Sequence, residues 1–196
     1  MKKFLLILIL TLSFQSWTKA EDIRDFQIEG MSIGDSALNY YTKDELNNGI
    51  KSYYPNKKFY HIDIVSKGST YENIQFAFKQ NDKNFKIYNV SGGIFFVNKP
   101  FSGCLKKQKE ITKEITTIFD NLKINEGSIY NHPADKTGKS KKKDVEITFT
   151  NTSELILIDC IDWSKKITKE KKWIDNLGVG LTSKEFENWL RNKAFE

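Results

Sequence analysis

Hydrophobic and polar residues alternate with a period of two at several places along the chain. Tyr60, Ile62 and Ile64 alternate with His61 and Asp63 over residues 59–65, and Ile74, Phe76 and Phe78 repeat the pattern. That period predicts strands with one mostly polar face. Gln80 to Asn84 reads as a polar hairpin loop. Phe85, Ile87 and Ile94 to Val97 bracket Gly92-Gly93, which reads as a bulge or bend. Phe26 and Ile28 form a short strand signal. In the second half Val145, Ile147 and Phe149 alternate with polar residues. Residues 154–163 are almost continuously apolar and predict a central strand covered on both faces. A last short strand is expected around Val179 and Leu181.

Helical periodicity is clearest over residues 104–122, where Leu105, Ile111, Ile115, Ile118, Phe119 and Leu122 share a stripe. Ser102 is the expected N-cap. Thr42-Lys43-Asp44-Glu45 fits a capping box, with Leu38, Tyr41, Leu46 and Ile50 on one apolar side and Gly49 as the stop. Thr182-Ser183-Lys184-Glu185 reads as a second capping box and opens a final helix that buries Phe186, Trp189 and Leu190. Residues 123–144 read as a polar, lysine-rich loop and 164–172 as a lysine-rich connection. The predicted order is β-α-β-β-β-α-β-β-β-α. This implies an α+β fold: an antiparallel sheet of about five to seven strands with three main helices mostly on one face. The repeated helix-and-meander order hints at a duplication, although no matching residues establish it.

The N-terminus changes the picture of where the chain works. Lys2 and Lys3 precede an apolar run from Phe4 to Phe14, and Thr18-Lys19-Ala20 supplies a small-residue cleavage pattern. This is the layout of a cleavable export signal. The run is too short for the roughly 20 residues of a membrane helix, so no stable transmembrane anchor is expected. Residues 1–20 are therefore read as a signal peptide and 21–196 as one domain, placed in the periplasm or secreted from a bacterium.

The formal charge of the 196-residue chain is +6. Removing residues 1–20 takes away Lys2, Lys3 and Lys19 and no acid, so that excess halves. Arg24 and Arg191 are the only arginines among 31 basic residues. An AT-rich genome inflates lysine in this way, and the better fork for phosphate is nearly missing. No nucleic acid is expected as a partner. Cys104 and Cys160 are the two cysteines, and in an oxidising compartment an even count suggests a disulfide.

Candidate chemistry is sparse. Gly34-Asp35-Ser36 resembles a hydrolase nucleophile turn, which needs a histidine base with an acid. The histidines are His61 and His132, and Lys58 and Ile129 stand where an aspartate three residues earlier would be. The turn is more simply a helix start, with Asp35 or Ser36 accepting from free N–H groups. His61 and Asp63 project from one face of a strand and form a possible ligand-binding pair. A metal site needs a third ligand, and none is identified. Lys136, Lys139, Lys141, Lys142 and Lys143 form a basic run that could hold an anionic polymer. Gly138-Lys139-Ser140 lacks the first glycine, the preceding strand and the following helix of a phosphate loop. Asp159, Asp162 and Asp175 match no calcium loop. No cofactor is expected.

The segments DFQIEGMSIGDSALNYY, FSGCLKKQKEI, HPADKTGKS and LIDCIDWS, with the closing SKEFENWL, resemble an uncharacterised family of small exported proteins from AT-rich marine bacteria. The resemblance spans most of the mature chain and implies no activity. Both cysteines lie inside these segments, which strengthens the expected disulfide, and Ala37 stands where a larger apolar residue is expected.

Together these readings favour an exported, non-catalytic binding module, its partner an envelope component or an anionic polymer. The alternatives are a small hydrolase using Ser36 with a histidine, and a binder of anionic glycans through the lysine-rich loop.

Overall fold

The structure, a computed structural model, describes residues 26–68 and 70–196. The expected export signal and the proposed start of the domain lie outside the described residues.

Among the described residues nine strands form one antiparallel sheet: β1 (Ile50–Tyr53), β2 (Phe59–Val65), β3 (Asn73–Lys79), β4 (Asn89–Phe95), β5 (Leu122–Glu126), β6 (Tyr130–Asn131), β7 (Lys141–Phe149), β8 (Leu155–Asp162) and β9 (Asn176–Thr182). The order across the sheet is β1-β2-β3-β4-β9-β8-β7-β5, with β6 pairing β7. The helices are α1 (Lys43–Asn48), α2 (Phe101–Ile118), α3 (Lys165–Lys171) and α4 (Lys184–Asn192). The fold is the expected α+β arrangement with more strands than the five to seven predicted. Each half contains a helix ahead of four antiparallel strands, α1 with β1–β4 and α2 with β5, β7, β8 and β9, and the second half adds β6, α3 and α4. The halves meet at the β4–β9 pair.

One face of the sheet is the main core. Ile62, Ile74, Phe76 and Val90 from the first half meet Val145, Ile147, Ile156, Ile158, Val179 and Leu181 from the second. Leu46 of α1 and Cys104 and Ile115 of α2 close over them. Cys104 and Cys160 form the disulfide, with Cα atoms 5.9 Å apart, and it ties α2 to β8. The opposite face is covered at one end. There Phe186 and Trp189 of α4, with Ala194, pack on Phe59 of β2 and Ala77 of β3.

Several local expectations change for physical reasons. The buried line of α2 runs through Cys104, Gln108, Thr112 and Ile115, while Ile118 is exposed. Gln108 belongs inside because its amide donates to the carbonyls of Lys143 at 3.0 Å and Ile158 at 2.8 Å. A buried polar group is stable when so paired. The N-cap of α2 is Pro100, with no side-chain bond, rather than Ser102; proline already holds the extended φ required. Ser183, not Thr182, caps α4 by accepting from the Phe186 N–H. Thr42 and Glu45 do form the predicted capping box.

Phe26 and Ile28 make no strand, since only an Ile28–Met31 bridge forms. Residues 123–144 carry most of β5, all of β6 and the start of β7, and residues 164–172 hold α3. β5 and β6 lie at the sheet edge and α3 outside the sheet, where lysines are tolerated and blunt the hydrophobic alternation. β8 is sealed on the core side, but Leu157, Asp159 and Ile161 on its other side are only half-buried. Gly92 and Gly93 sit in an unbroken ladder rather than a bulge. A Cβ on Gly92 would run into the ring of Tyr71, so the glycine is required by close approach.

Candidate functional site

The turn at Gly34-Asp35-Ser36 starts a helical turn. Gly34 has φ +92°, a conformation glycine adopts freely. Ser36 caps the 3₁₀ turn Ala37–Asn39, accepting from the Leu38 N–H and donating to the Asn84 carbonyl at 2.5 Å. Asp35 accepts from the Ser32 N–H and the Tyr40 hydroxyl. Both side chains are engaged in shaping the backbone. His61 and His132 bond elsewhere: His61 Nε2 lies 3.3 Å from the Tyr54 hydroxyl, and His132 Nδ1 accepts from the Ala134 N–H.

His61 and Asp63 do project from one face of β2, the face opposite the main core. They have separate surroundings. His61 packs against Tyr54 and Phe186, and burial pushes its pKa down to about 4. Asp63 accepts from the Gln75 amide at 2.9 Å, and burial raises its carboxyl above the usual range.

The lysine run is divided by structure. Asp135 accepts from the backbone and hydroxyls of Thr137 and Ser140, which folds HPADKTGKS into a tight loop and holds that carboxyl strongly ionised. Gly138 supplies a positive φ for that loop. Ser140 Oγ also accepts from the Ser164 N–H, tying the loop to the start of α3. Lys141 donates to Asn131, Lys142 lies between Asp144 and Asp159, and Lys143 pairs with Glu126. Lys142 points to the second face with both aspartates, whereas Lys141 and Lys143 alternate away from it.

The strand register assembles that second face. Asn73, Gly93, Gly178, Asp159 and Asp144 form one row across β3, β4, β9, β8 and β7. Asp63, Gln75, Ser91, Gly180, Leu157 and Glu146 form the next row. Ser91, Gly93, Gly178 and Gly180 therefore make a low floor down the middle of the sheet. Asn73, Gln75 and Asp63 stand on one side of it, and Asp144, Asp159 and Lys142 on the other. Asn73 and Asp159 lean inward: a Cβ on Gly93 would strike the Asn73 Oδ1, and one on Gly178 the Asp159 Oδ1. Three strand spacings, about 14 Å, separate the two backbones. α4 covers the far end of this face, and Ser91, Gly93, Gly178 and Asp159 stay partly open.

The charged side of the floor is tightly connected. Lys142 Nζ lies 3.1 Å from Asp144 and 3.0 Å from Asp159, with all three side chains mostly buried. Burial opposes the ammonium charge, and the two carboxylates outweigh it, so the Lys142 pKa is raised. Burial, with Asp144 opposite, raises Asp159. The Tyr130 hydroxyl donates to Asp144 at 2.5 Å, and burial together with that bond raises its pKa to about 12. At the top of this side His132 packs on Trp163, with centroids 4.3 Å apart, and Trp163 on Trp173 at 4.6 Å. The backbone N–H of Trp163 is pinned by Asp175 at 2.7 Å. No group of His, Cys, Asp and Glu suited to a metal ion occurs among the described residues.

Of the sequence candidates, His61, Asp63 and Lys142 reach this face. The second wall and the tryptophans do not emerge from sequence motifs. The available signal was parity: Asp159, Ile161 and Trp163 occupy alternate positions, so a strand over 154–163 puts them on one side. Among the described residues no helix is long and apolar enough to cross a membrane. No protein-family model matches this chain, and no curated protein is significantly similar to it.

Proposed function

We propose that this protein is an exported, non-catalytic binding module whose ligand lies on the partly open half of the second sheet face. The observation that carries the reading is the low floor of Ser91, Gly93, Gly178 and Gly180 between two walls of half-buried polar side chains. Gly93 and Gly178 leave room for the Asn73 and Asp159 side chains to lean over the strands, and polar groups that converge in this way orient a ligand. A surface disulfide-stapled in this way suits an oxidising compartment, which agrees with the export signal read from residues 1–20.

The hydrolase alternative has less support. The Ser36 hydroxyl is bonded to backbone groups, and among the described residues no hydrogen bond joins it to either histidine. The anionic-polymer alternative is weakened because Lys142 and Lys143 are paired with acids.

The test is a screen of envelope components (peptides, lipids and glycans) against ¹⁵N-labelled mature protein. A ligand of this face shifts the amides of Ser91, Gly93, Gly178 and Gly180. Saturable ligands whose shifts cluster elsewhere, or turnover of any screened compound, overturn the reading.

A further inference from the structure

Trp173 is 40% exposed although tryptophan is large and apolar. It heads a contiguous ledge, Trp173–Trp163–His132, whose successive rings are tilted by 53° and 52°. Trp163 continues the Asp159–Ile161 side of β8, and His132, which packs on it, follows by two residues Tyr130, which pairs with Lys142 across β6 and β7 and whose hydroxyl donates to Asp144. The ledge and the charged wall are thus one surface.

The charge pattern selects among ligand classes. A cation attracted by Asp144 and Asp159 meets Lys142, which already occupies the position between them. An anion attracted by Lys142 meets two carboxylates. The hydroxyl group both donates and accepts. Vicinal hydroxyls therefore satisfy an array of two carboxylate acceptors and one ammonium donor without net charge. A ring with hydroxyls at its edge and C–H groups on its faces also has a place on the tryptophans, whose negative π-faces attract C–H groups.

We infer that this corner binds a neutral saccharide, its ring against Trp163 and Trp173 and its hydroxyls on Asp144, Asp159 and Lys142. The inference rests on the second face being the ligand surface and names the class of ligand it takes.

The experiment titrates the mature ¹⁵N-labelled protein with malto-, cello-, laminari- and N-acetylchito-hexaose, and in parallel with heparin and spermine, at physiological salt. Tryptophan fluorescence and ¹H–¹⁵N shifts are read. At least one neutral hexaose is expected to saturate at millimolar concentration or below, moving the indole N–H signals of Trp163 and Trp173 and the Gly178 amide. Trp173→Ala is expected to weaken it by about tenfold, one stacked contact, with the melting temperature lowered by no more than about 4 °C because Trp173 lies outside both cores and gives up its packing on Trp163. Failure of every neutral hexaose to bind, or binding that Trp173→Ala leaves intact, overturns the saccharide. Heparin or spermine shifting Gly93 and Gly178 while no hexaose does so overturns the saccharide and leaves the face reading standing. A hexaose whose shifts avoid this face overturns both.

Discussion

Asp144 and Asp159 stand directly opposite each other on β7 and β8, and the Nζ of Lys142 lies within 3.1 Å of both. Like charges at a cross-strand position repel, so the pair depends on the lysine. Lys142→Met is expected to cost about 3 kcal/mol at neutral pH, the scale for breaking a largely buried ion pair. Burial already raises the Asp159 carboxyl, and without the ammonium it rises further above the unfolded value. The cost is therefore small in acid and grows as pH rises from the unfolded value of that carboxyl through its native one. Adding Asp159→Asn to Lys142→Met should recover part of the loss. Urea melts of the single and double variants at acid and neutral pH test this; a pH-independent cost would contradict it.

The Cys104–Cys160 bond closes a loop with a sequence separation of 56 and joins α2 to the buried side of β8. Restricting that loop in the unfolded chain contributes about 4 kcal/mol. Replacing both cysteines by alanine is expected to lower the urea midpoint by a matching amount, with retention of the far-ultraviolet circular dichroism spectrum under native conditions.

His61 gives stability a pH dependence with a definite sign. Burial holds its native pKa near 4, below the ordinary 6.5. Between those values the unfolded chain binds the proton and the native one does not, so stability falls as pH drops from 6.5 to 4. The share due to this residue is about 3 kcal/mol. His61→Phe should remove that share of the slope. Equal slopes in the two proteins would show that the imidazole is not the group responsible.

Gly92 lies against the ring of Tyr71, with no room for a Cβ. Gly92→Ala is expected to cost about 2 kcal/mol by overpacking. Tyr71→Ala relieves the clash, so the two effects are less than additive in a double-mutant cycle. Gly178→Ala behaves differently, because its Cβ meets the carboxylate end of the Asp159 side chain rather than a ring. Stability should change by about 1 kcal/mol or less, while the Asp159–Lys142 contact and ligand binding are disturbed. Thermal melts and the screening titrations separate these two kinds of glycine.

Local chemistry was decisive for much of the fold. The period-two runs at 59–65, 74–78 and 145–149, the capping box at Thr42 and the final amphipathic helix depend on neighbouring residues alone, and each formed. The spacing of α2 was legible but its inner side was not. Gln108 is buried because two strand carbonyls await it, and nothing near residue 108 in the sequence reveals them. Edge strands β5 and β6 were missed because exposed strands need no hydrophobic alternation.

By itself the sequence determined which residues alternate, where helices begin, and that two cysteines were available to pair. Only the tertiary structure decided that four small residues from β4 and β9 meet as one floor, that Lys142 lies between aspartates from two strands, and that Trp163 and Trp173 meet His132. The physical reason is that side-chain period follows from local backbone geometry, whereas strand order and register join residues far apart in the chain through packing and hydrogen bonds. The Lys142–Asp159, Asn73–Gly93 and His132–Trp163 contacts of the proposed binding face each span such a junction.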